Sequence, residues 1–140
     1  MSVRSHPRTA STTASISDLS VVRRAVAAML LLGIALIHVL DVKDKFEEVP
    51  YLGVLFLGLI AASLILAELM VRSDDPLVWL AAASVAGATI LGYVLSRSTG
   101  LPGEGGGEVG NWWETLGLAS LFVEGGLVLL ASVRLTERHS

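Results

Sequence analysis

The stretch that decides the fold runs from Gly92 to Gly125 and reads GYVLSRSTGLPGEGGGEVGNWWETLGLASLFVEG. It begins at the end of one apolar segment, passes Arg97, crosses a glycine-rich loop and enters a second apolar segment. That second segment carries two carboxylates, Glu114 and Glu124. A membrane-spanning helix needs roughly 20 mostly apolar residues, so the stretch predicts the facing ends of two membrane helices and the loop between them. The rest of the chain reads as further apolar helix placed around it.

Composition supports a membrane protein. The chain has 140 residues, of which 53% are hydrophobic, whereas soluble domains have roughly 45–50% apolar residues. There is no cysteine, which excludes disulfides, thiolate metal sites and a thiol nucleophile. The net charge is −3 and the ten Lys and Arg residues are scattered, so nothing supports a nucleic-acid partner. One small membrane domain is the expectation.

Four apolar blocks predict an all-α, four-transmembrane-helix bundle. The second block starts at Pro50 and the third follows Asp75-Pro76, both of which are helix-start signals. The fourth is introduced by Trp112 and Trp113, residues that suit a membrane–water boundary. The predicted helices span about residues 21–41, 50–71, 77–96 and 111–133.

The N-terminal segment differs from the rest of the chain. Residues 1–17 are rich in Ser and Thr and show no apolar periodicity, so we expect a disordered cytoplasmic tail that has too little apolar surface to offset the entropy cost of ordering. Residues 18–135 then form the membrane domain. The basic start and apolar run also resemble a signal peptide, but no small-x-small cleavage site precedes Asp41, and a retained first helix is favoured.

The distribution of basic residues predicts the orientation. With both termini in the cytoplasm, seven basic residues lie inside and three outside, which satisfies the positive-inside rule. The protein would then be a multi-pass plasma-membrane protein whose 41–49 and 96–110 loops face outward. The inside residues are Arg4, Arg8, Arg23, Arg24, Arg72, Arg134 and Arg138, and the outside residues are Lys43, Lys45 and Arg97.

Ionisable residues inside the apolar blocks are the candidate functional residues, because such groups are costly in a membrane and usually face a bundle interior. His38 and Asp41 are three residues apart and share a helix face. Under the predicted topology they lie near the outer side, as does Glu114, with Glu124 about 15 Å deeper. The full set is His38, Glu68, Glu114 and Glu124 within the blocks, with Asp41 and Arg97 at helix ends.

Three interpretations of this cluster stay open. In the first, it is an internal salt-bridge network in which Arg97 neutralises a carboxylate. In the second, His38, Asp41, Glu114 and Glu124 bind a metal ion or hard cation, since imidazole and carboxylates are suitable ligands. In the third, Glu124 belongs to a proton or ion path. Glu68 is expected to reach the membrane interface near Arg72, one turn further on.

The loops and the remaining motifs give no catalytic site. We expect the 41–49 loop to be a solvated turn and the residues from 104 to 110 to be a flexible tether. No nucleophile–base–orienter set and no Gly-x-Ser-x-Gly elbow is present, so no enzyme is predicted. Of the three histidines, only His38 lies near the membrane core, so the chain cannot supply two haem ligands. No cofactor is indicated.

Several motifs together carry a resemblance. The pattern combines His38-x-x-Asp41, SRSTGLPG from Ser96 to Gly103, Gly110-Asn111-Trp112 and Glu124. Over about residues 25–133 it resembles small four-helix integral membrane proteins of actinomycetes. The resemblance implies a topology and a membrane location, and it implies no biochemical activity.

Two functional hypotheses follow from the sequence. The first is a non-catalytic accessory or assembly partner whose polar cluster is structural. The alternative is an ion-, proton- or metal-handling membrane protein that uses His38, Asp41, Glu114 and Glu124. The expected partners are the lipid bilayer and either a second copy of the chain or another membrane protein.

Overall fold

A computed structural model describes residues 10–137 and contains four α-helices, with no strand among those residues. The helices are α1 (Ala10–Glu48), α2 (Pro50–Arg72), α3 (Pro76–Ser98) and α4 (Thr115–Thr136). They alternate in direction along the bundle. We call the end where α1 and α3 finish the loop end, and the opposite end, where α2 and α4 finish, the terminal end.

The predicted start signals act as expected. Pro50 and Pro76 occupy the first turns of α2 and α3, where a missing N–H costs no helical hydrogen bond. Asp75 is the N-cap of α3, and its side chain accepts a hydrogen bond from the Leu77 amide at 2.9 Å. α2 ends at Arg72, and the N–H of the C-cap residue Ser73 donates to Leu69 O at 2.9 Å.

All four helices are long and apolar enough to cross a membrane, so the four-helix prediction is confirmed. Large apolar side chains cover the outside of the bundle; Phe122 is 82% exposed and Leu129 is 71% exposed. In water such a surface would be an extensive exposed apolar patch, whereas lipid tails cover it at no cost. The chain is a multi-pass membrane protein.

Each helix packs against its neighbours in chain order, and α1 closes the ring against α4. The most extensive contacts are α1 with α2 and α3 with α4, while the α2–α3 contact is smaller. The core is apolar, with small residues on α3 that let the helices approach closely. Its fully buried members are Ala27, Leu31, Ile34, Met70, Trp79, Ala82, Ala86, Leu127 and Ala131.

Helix α1 is longer than predicted, and the 41–49 loop prediction is wrong. The helix continues to Glu48, and only Val49 separates it from α2. Charged pairs one turn apart support this extension, including Lys45 with Glu48 at 2.8 Å. At its other end α1 begins at Ala10, so residues 10–17 of the predicted tail belong to the helix, while residues 1–9 lie outside the described part.

Helix α4 starts four residues later than predicted. Residues 111–113 form turns, and Glu114 occupies the N-cap position before Thr115. The reason is local: the Trp112 amide donates to Gly110 O at 3.0 Å, which keeps the chain turning, and the Glu114 side chain is engaged by Arg97. The two tryptophans therefore lie in the loop, at the edge of the bundle.

The terminal end is held by a polar tie that links the α2–α3 turn to α4. Arg134 Nε donates to Asp74 Oδ1 at 3.0 Å and Nη2 donates to Asp74 Oδ2 at 3.0 Å. Trp79 Nε1 donates to the same carboxylate at 2.8 Å. Burial acts to raise the pKa of Asp74, but these hydrogen bonds and the Arg134 charge outweigh it and hold that pKa below its ordinary value.

Candidate functional site

A small cavity lies at the loop end and is walled by all four helices and the 99–114 segment. Its volume is about 90 Å³. That is enough for several water molecules or a small ion, since one water needs roughly 10–15 Å³ of such volume, and too little for a drug-sized ligand. Its charged lining residues are three carboxylates and two cations: Asp41, Glu104, Glu114, Lys45 and Arg97.

Arg97, at the last turn of α3, is the centre of the cavity wall. Its side chain is only 6% exposed. Nε donates to Asn111 O at 2.9 Å, Nη1 lies 3.2 Å from Glu108 Oε2, and Nη2 pairs with Glu114 at the start of α4. The guanidinium also lies over the Tyr93 ring, 4.6 Å from its centroid, a cation–π contact. The planar guanidinium group thus joins α3, α4 and the loop in one hydrogen-bond and ion-pair network.

The segment of residues 99–114, which we call the cap, folds back over the cavity. The Ser96 hydroxyl donates to Glu104 Oε1 at 2.9 Å, and the Leu101 amide donates to Glu104 Oε2 at 2.9 Å. The Gly110 amide donates to Arg97 O at 2.8 Å, and the Tyr51 hydroxyl of α2 donates to Pro102 O at 2.6 Å. The tether prediction for residues 104–110 is therefore wrong: this stretch is pinned at both ends.

The chain turns several times in the cap, and glycine allows these turns because its backbone can adopt positive φ. Five cap glycines have positive φ, a region that side chains with a Cβ rarely adopt. The glycine-rich composition therefore marks a sequence of tight turns in the cap. The five are Gly100, Gly103, Gly105, Gly106 and Gly110.

Lys45 and Asp41 lie on the α1 wall of the cavity and have different surroundings. The Lys45 ammonium lies 2.8 Å from Glu48 Oε2 and 3.8 Å from Glu108 Oε1, and its charge also acts on Asp41. Asp41, half-buried, makes no side-chain hydrogen bond or ion pair with the residues that the structure describes. Its carboxylate is therefore an acceptor on the cavity wall that the Lys45 charge reaches but no donor contacts directly among the described residues.

His38 lies one turn below Asp41 and is 5% exposed. Its Nδ1–H donates to Ile34 O at 2.8 Å, which fixes the ring orientation. The edge of the Phe56 ring supports it, with centroids 4.8 Å apart. The other ring nitrogen has no hydrogen-bond partner within residues 10–137, so this residue offers a second acceptor at the cavity.

Glu124 lies below the cavity, in the middle of α4, and is fully buried. Ser120, which lines the cavity, donates its hydroxyl to Glu124 Oε1 at 2.5 Å. Glu124 Oε2 has no partner, and no cation pairs with the carboxyl within the described chain. An ionised carboxylate here would cost several kcal/mol, whereas a neutral carboxyl with one unmatched hydroxyl costs about 1–3 kcal/mol. These surroundings therefore favour the neutral form of the Glu124 carboxyl.

The structure brings together four of the six predicted site residues. His38, Asp41, Arg97 and Glu114 all line the cavity, and the expected neutralisation of a carboxylate by Arg97 is present. Glu124 does not line the cavity and is connected to it through the Ser120 hydroxyl.

Glu68 lies elsewhere, exposed on α2, with Arg72 Nη2 2.5 Å from Glu68 Oε1 as the sequence predicted. For the metal interpretation, no three His, Asp or Glu side chains among residues 10–137 are grouped as metal ligands.

Sequence reasoning missed several members of the site. Lys45 and Glu108 were assigned to a solvated turn and a tether, although their partners lie in distant segments. One local signal was available: Ser120 precedes Glu124 by four residues, which places them on one helix face. The spacing of Glu104 and Glu108 in a glycine-rich loop carries no comparable signal.

Comparisons with protein-family models, curated proteins and solved structures give no match to this chain. The resemblance to four-helix membrane proteins of actinomycetes stays a prediction. Function is therefore argued from the site alone.

Proposed function

We propose that this protein is a non-catalytic accessory or assembly partner in the plasma membrane, with both termini in the cytoplasm and the cap on the outer side. The observation that carries the proposal is Arg97. Its donors are engaged by the cap, by α4 and by its own helix. A guanidinium committed in this way stabilises a rigid surface and is not available to a substrate.

The chemistry of the cavity supports a non-catalytic role. His38 is the one histidine that lines it, and its Nδ1 is bound to a backbone carbonyl. Within the described chain, no serine or threonine hydroxyl is hydrogen-bonded to that ring, so the nucleophile–base pair of a hydrolase is not assembled. A rigid cap at the membrane surface is instead suited to docking against another protein.

Native mass spectrometry on protein extracted from its own membrane in mild detergent tests this function. We expect a defined complex with a second membrane protein. The Arg97→Gln variant, which releases the cap, should lose that partner, whereas Arg72→Gln, at an exposed ion pair, should retain it. A folded protein that carries no partner, or a partner retained equally by both variants, would contradict the proposal.

A second candidate function is the binding of a small cation, and it is favoured by the Asp41 carboxylate, which no donor among the described residues contacts directly. Because no metal-ligand group forms among residues 10–137, we infer a cation that donates hydrogen bonds, such as ammonium. Titration calorimetry with ammonium chloride at constant ionic strength should show binding that Asp41→Asn removes. The matched control is Asp44→Asn, at an exposed position on the same helix. Equal heats from the wild-type protein and Asp41→Asn would exclude this candidate.

A further inference from the structure

We propose that Glu124 is a proton-binding site inside the bundle, which exchanges its proton with the loop-end cavity through the Ser120 hydroxyl and is closed toward the terminal end. This site goes beyond the accessory role and does not depend on it. Three structural observations carry it: the hydrogen bond of Ser120, the apolar floor below Glu124, and the absence of a counter-charge among the described residues.

The Ser120 hydroxyl does not follow the pattern of four other hydroxyls in these helices. A serine or threonine within a helix commonly donates to the carbonyl four residues earlier. Ser120 instead donates forward to Glu124 Oε1 at 2.5 Å while also lining the cavity. The hydroxyl therefore connects the cavity to the buried carboxyl. The residues that follow the common pattern are Ser84, Thr89, Ser98 and Ser132.

Below Glu124 the bundle is closed by apolar side chains of α1, α3 and α4, and the buried polar group on α2, the Ser63 hydroxyl, has no hydrogen-bond partner among the described residues that would continue a proton route. The next turns of α4 and the facing turns of α1 and α3 supply residues with no exposed surface and no polar side-chain atom. Such a layer gives a proton no hydrogen-bonded route to the terminal end. The layer contains Ala27, Leu31, Ala82, Leu127 and Ala131.

Among residues 10–137, no charged group pairs with Glu124 to take the place of a proton. The titratable residues above it line the cavity, and each is either engaged elsewhere or is an acidic group that would disfavour a second negative charge. α2 adds only Leu52 and Phe56 to the wall. The titratable lining groups are His38, Asp41 and Lys45 from α1, Tyr93 and Arg97 from α3, and Glu104 and Glu114 from the cap.

The proton balance of the exchange is simple. A hydronium ion in the cavity donates a proton to Ser120 Oγ while the original hydroxyl proton moves to Glu124 Oε1. Rotation of the carboxyl group then places the protonated oxygen in the unpartnered Oε2 position, and the serine hydroxyl again donates to the carbonyl oxygen. The products are a water molecule, an intact serine and a neutral carboxylic acid. The cavity is large enough to hold the water that this relay requires.

Infrared spectroscopy of the purified protein tests the site directly, because a protonated carboxylic acid has a C=O stretching band that a carboxylate lacks. At neutral pH we expect this band in the wild-type protein and its loss in Glu124→Gln. Glu68→Gln, which alters an exposed carboxylate, should retain it. Ser120→Ala should keep the band but shift it to higher frequency, because the C=O group loses its hydrogen bond.

The route through the cavity has its own test. Gly92 lines the cavity and has nothing within 4 Å of an added Cβ, so Gly92→Leu should fill the space and slow deuterium exchange of the Glu124 band. Gly87→Leu is the control, because an added Cβ at Gly87 also meets nothing within 4 Å but the residue does not line the cavity. Its deuterium exchange should match that of the wild-type protein.

Two results would overturn the proposal. One is that Glu124→Gln removes no carboxylic-acid band from the wild-type spectrum. The other is that deuterium exchange of the Glu124 band is equally fast in Gly92→Leu and in the wild-type protein. If Glu124→Gln does not fold, a carboxylic-acid band that has the same frequency in Ser120→Ala as in the wild-type protein would contradict the proposal.

Discussion

At the scale of single residues, Arg97 shows how a buried cation stabilises a loop. It holds Glu108 and the Asn111 carbonyl in the cap and Glu114 at the start of α4. Replacing it by Gln leaves Glu114 without its cation and Glu108 with only the Lys45 ammonium at 3.8 Å, so we expect a loss of about 3 kcal/mol in unfolding free energy. Thermal unfolding in detergent measures this loss.

The control for that prediction is Arg72→Gln. Arg72 pairs only with Glu68, and both side chains are more than 60% exposed, so the pair contributes little. Similar melting temperatures for Arg97→Gln and Arg72→Gln would show that the buried network does not stabilise the fold.

Gly117 is a second residue-scale test. A Cβ at this position would overlap the Tyr93 ring, which contacts Arg97 and donates its hydroxyl to Trp112 O at 3.1 Å. The ring cannot move without losing these contacts, so Gly117→Ala should cost about 1–3 kcal/mol. Gly125→Ala on the same helix meets nothing within 4 Å. Equal stability of the two variants in chemical unfolding would show that the Tyr93 ring is not held in place.

The residues that could be predicted are those whose signal is local. His38 and Asp41 share a helix face at a spacing of three, and Arg97 and Glu114 flank one loop, so their proximity follows from the topology. The contact of Lys45 with Glu108 joins positions 63 residues apart and depends on how the cap folds. No local pattern specifies it.

At the scale of elements, the helices were easier to predict than the connections. Apolar length and the proline starts predicted α2 and α3 to within two residues. The end of α1 was missed because DVKDKFEE is charged and reads as solvent-exposed loop, whereas its charges pair along the helix and with the cap. The cap itself was missed because glycine suggests flexibility when no partner is visible in the sequence.

The polar tie at the terminal end gives an element-scale prediction of pH dependence. The pKa of Asp74 is held below its ordinary value of 3.8, so the tie is fully stabilising above pH 3.8 and is lost as the pH falls through the lower folded value. Melting temperature measured against pH should therefore decrease below pH 3.8. Asp74→Asn should lower the melting temperature at neutral pH and weaken this acid dependence.

Glu68→Gln is the control for the pH series, because Glu68 is exposed and lies outside the tie. Its acid profile should follow that of the wild-type protein. An Asp74→Asn profile that parallels the wild type would mean that Arg134 does not hold the α2–α3 turn through this carboxylate.

At the scale of the whole molecule, the two ends of the bundle have different roles. The terminal end is closed by the apolar core and the Arg134–Asp74 tie, while the loop end keeps a polar cavity beneath a pinned cap. The positive-inside rule, applied to the sequence, favours the orientation proposed above, with both termini in the cytoplasm. Our account therefore places the cap, the cavity and the entrance to Glu124 on the outer side of one membrane.

The most direct test of this arrangement is two-sided thiol labelling in intact cells, since the natural chain has no cysteine. Gly107→Cys places a thiol on the exposed cap where an added side chain meets nothing within 4 Å, and Thr136→Cys places one at the exposed end of α4. A membrane-impermeant maleimide added outside should label Gly107→Cys and should reach Thr136→Cys only after the membrane is opened. Labelling of Thr136→Cys in intact cells, with Gly107→Cys protected, would contradict the account.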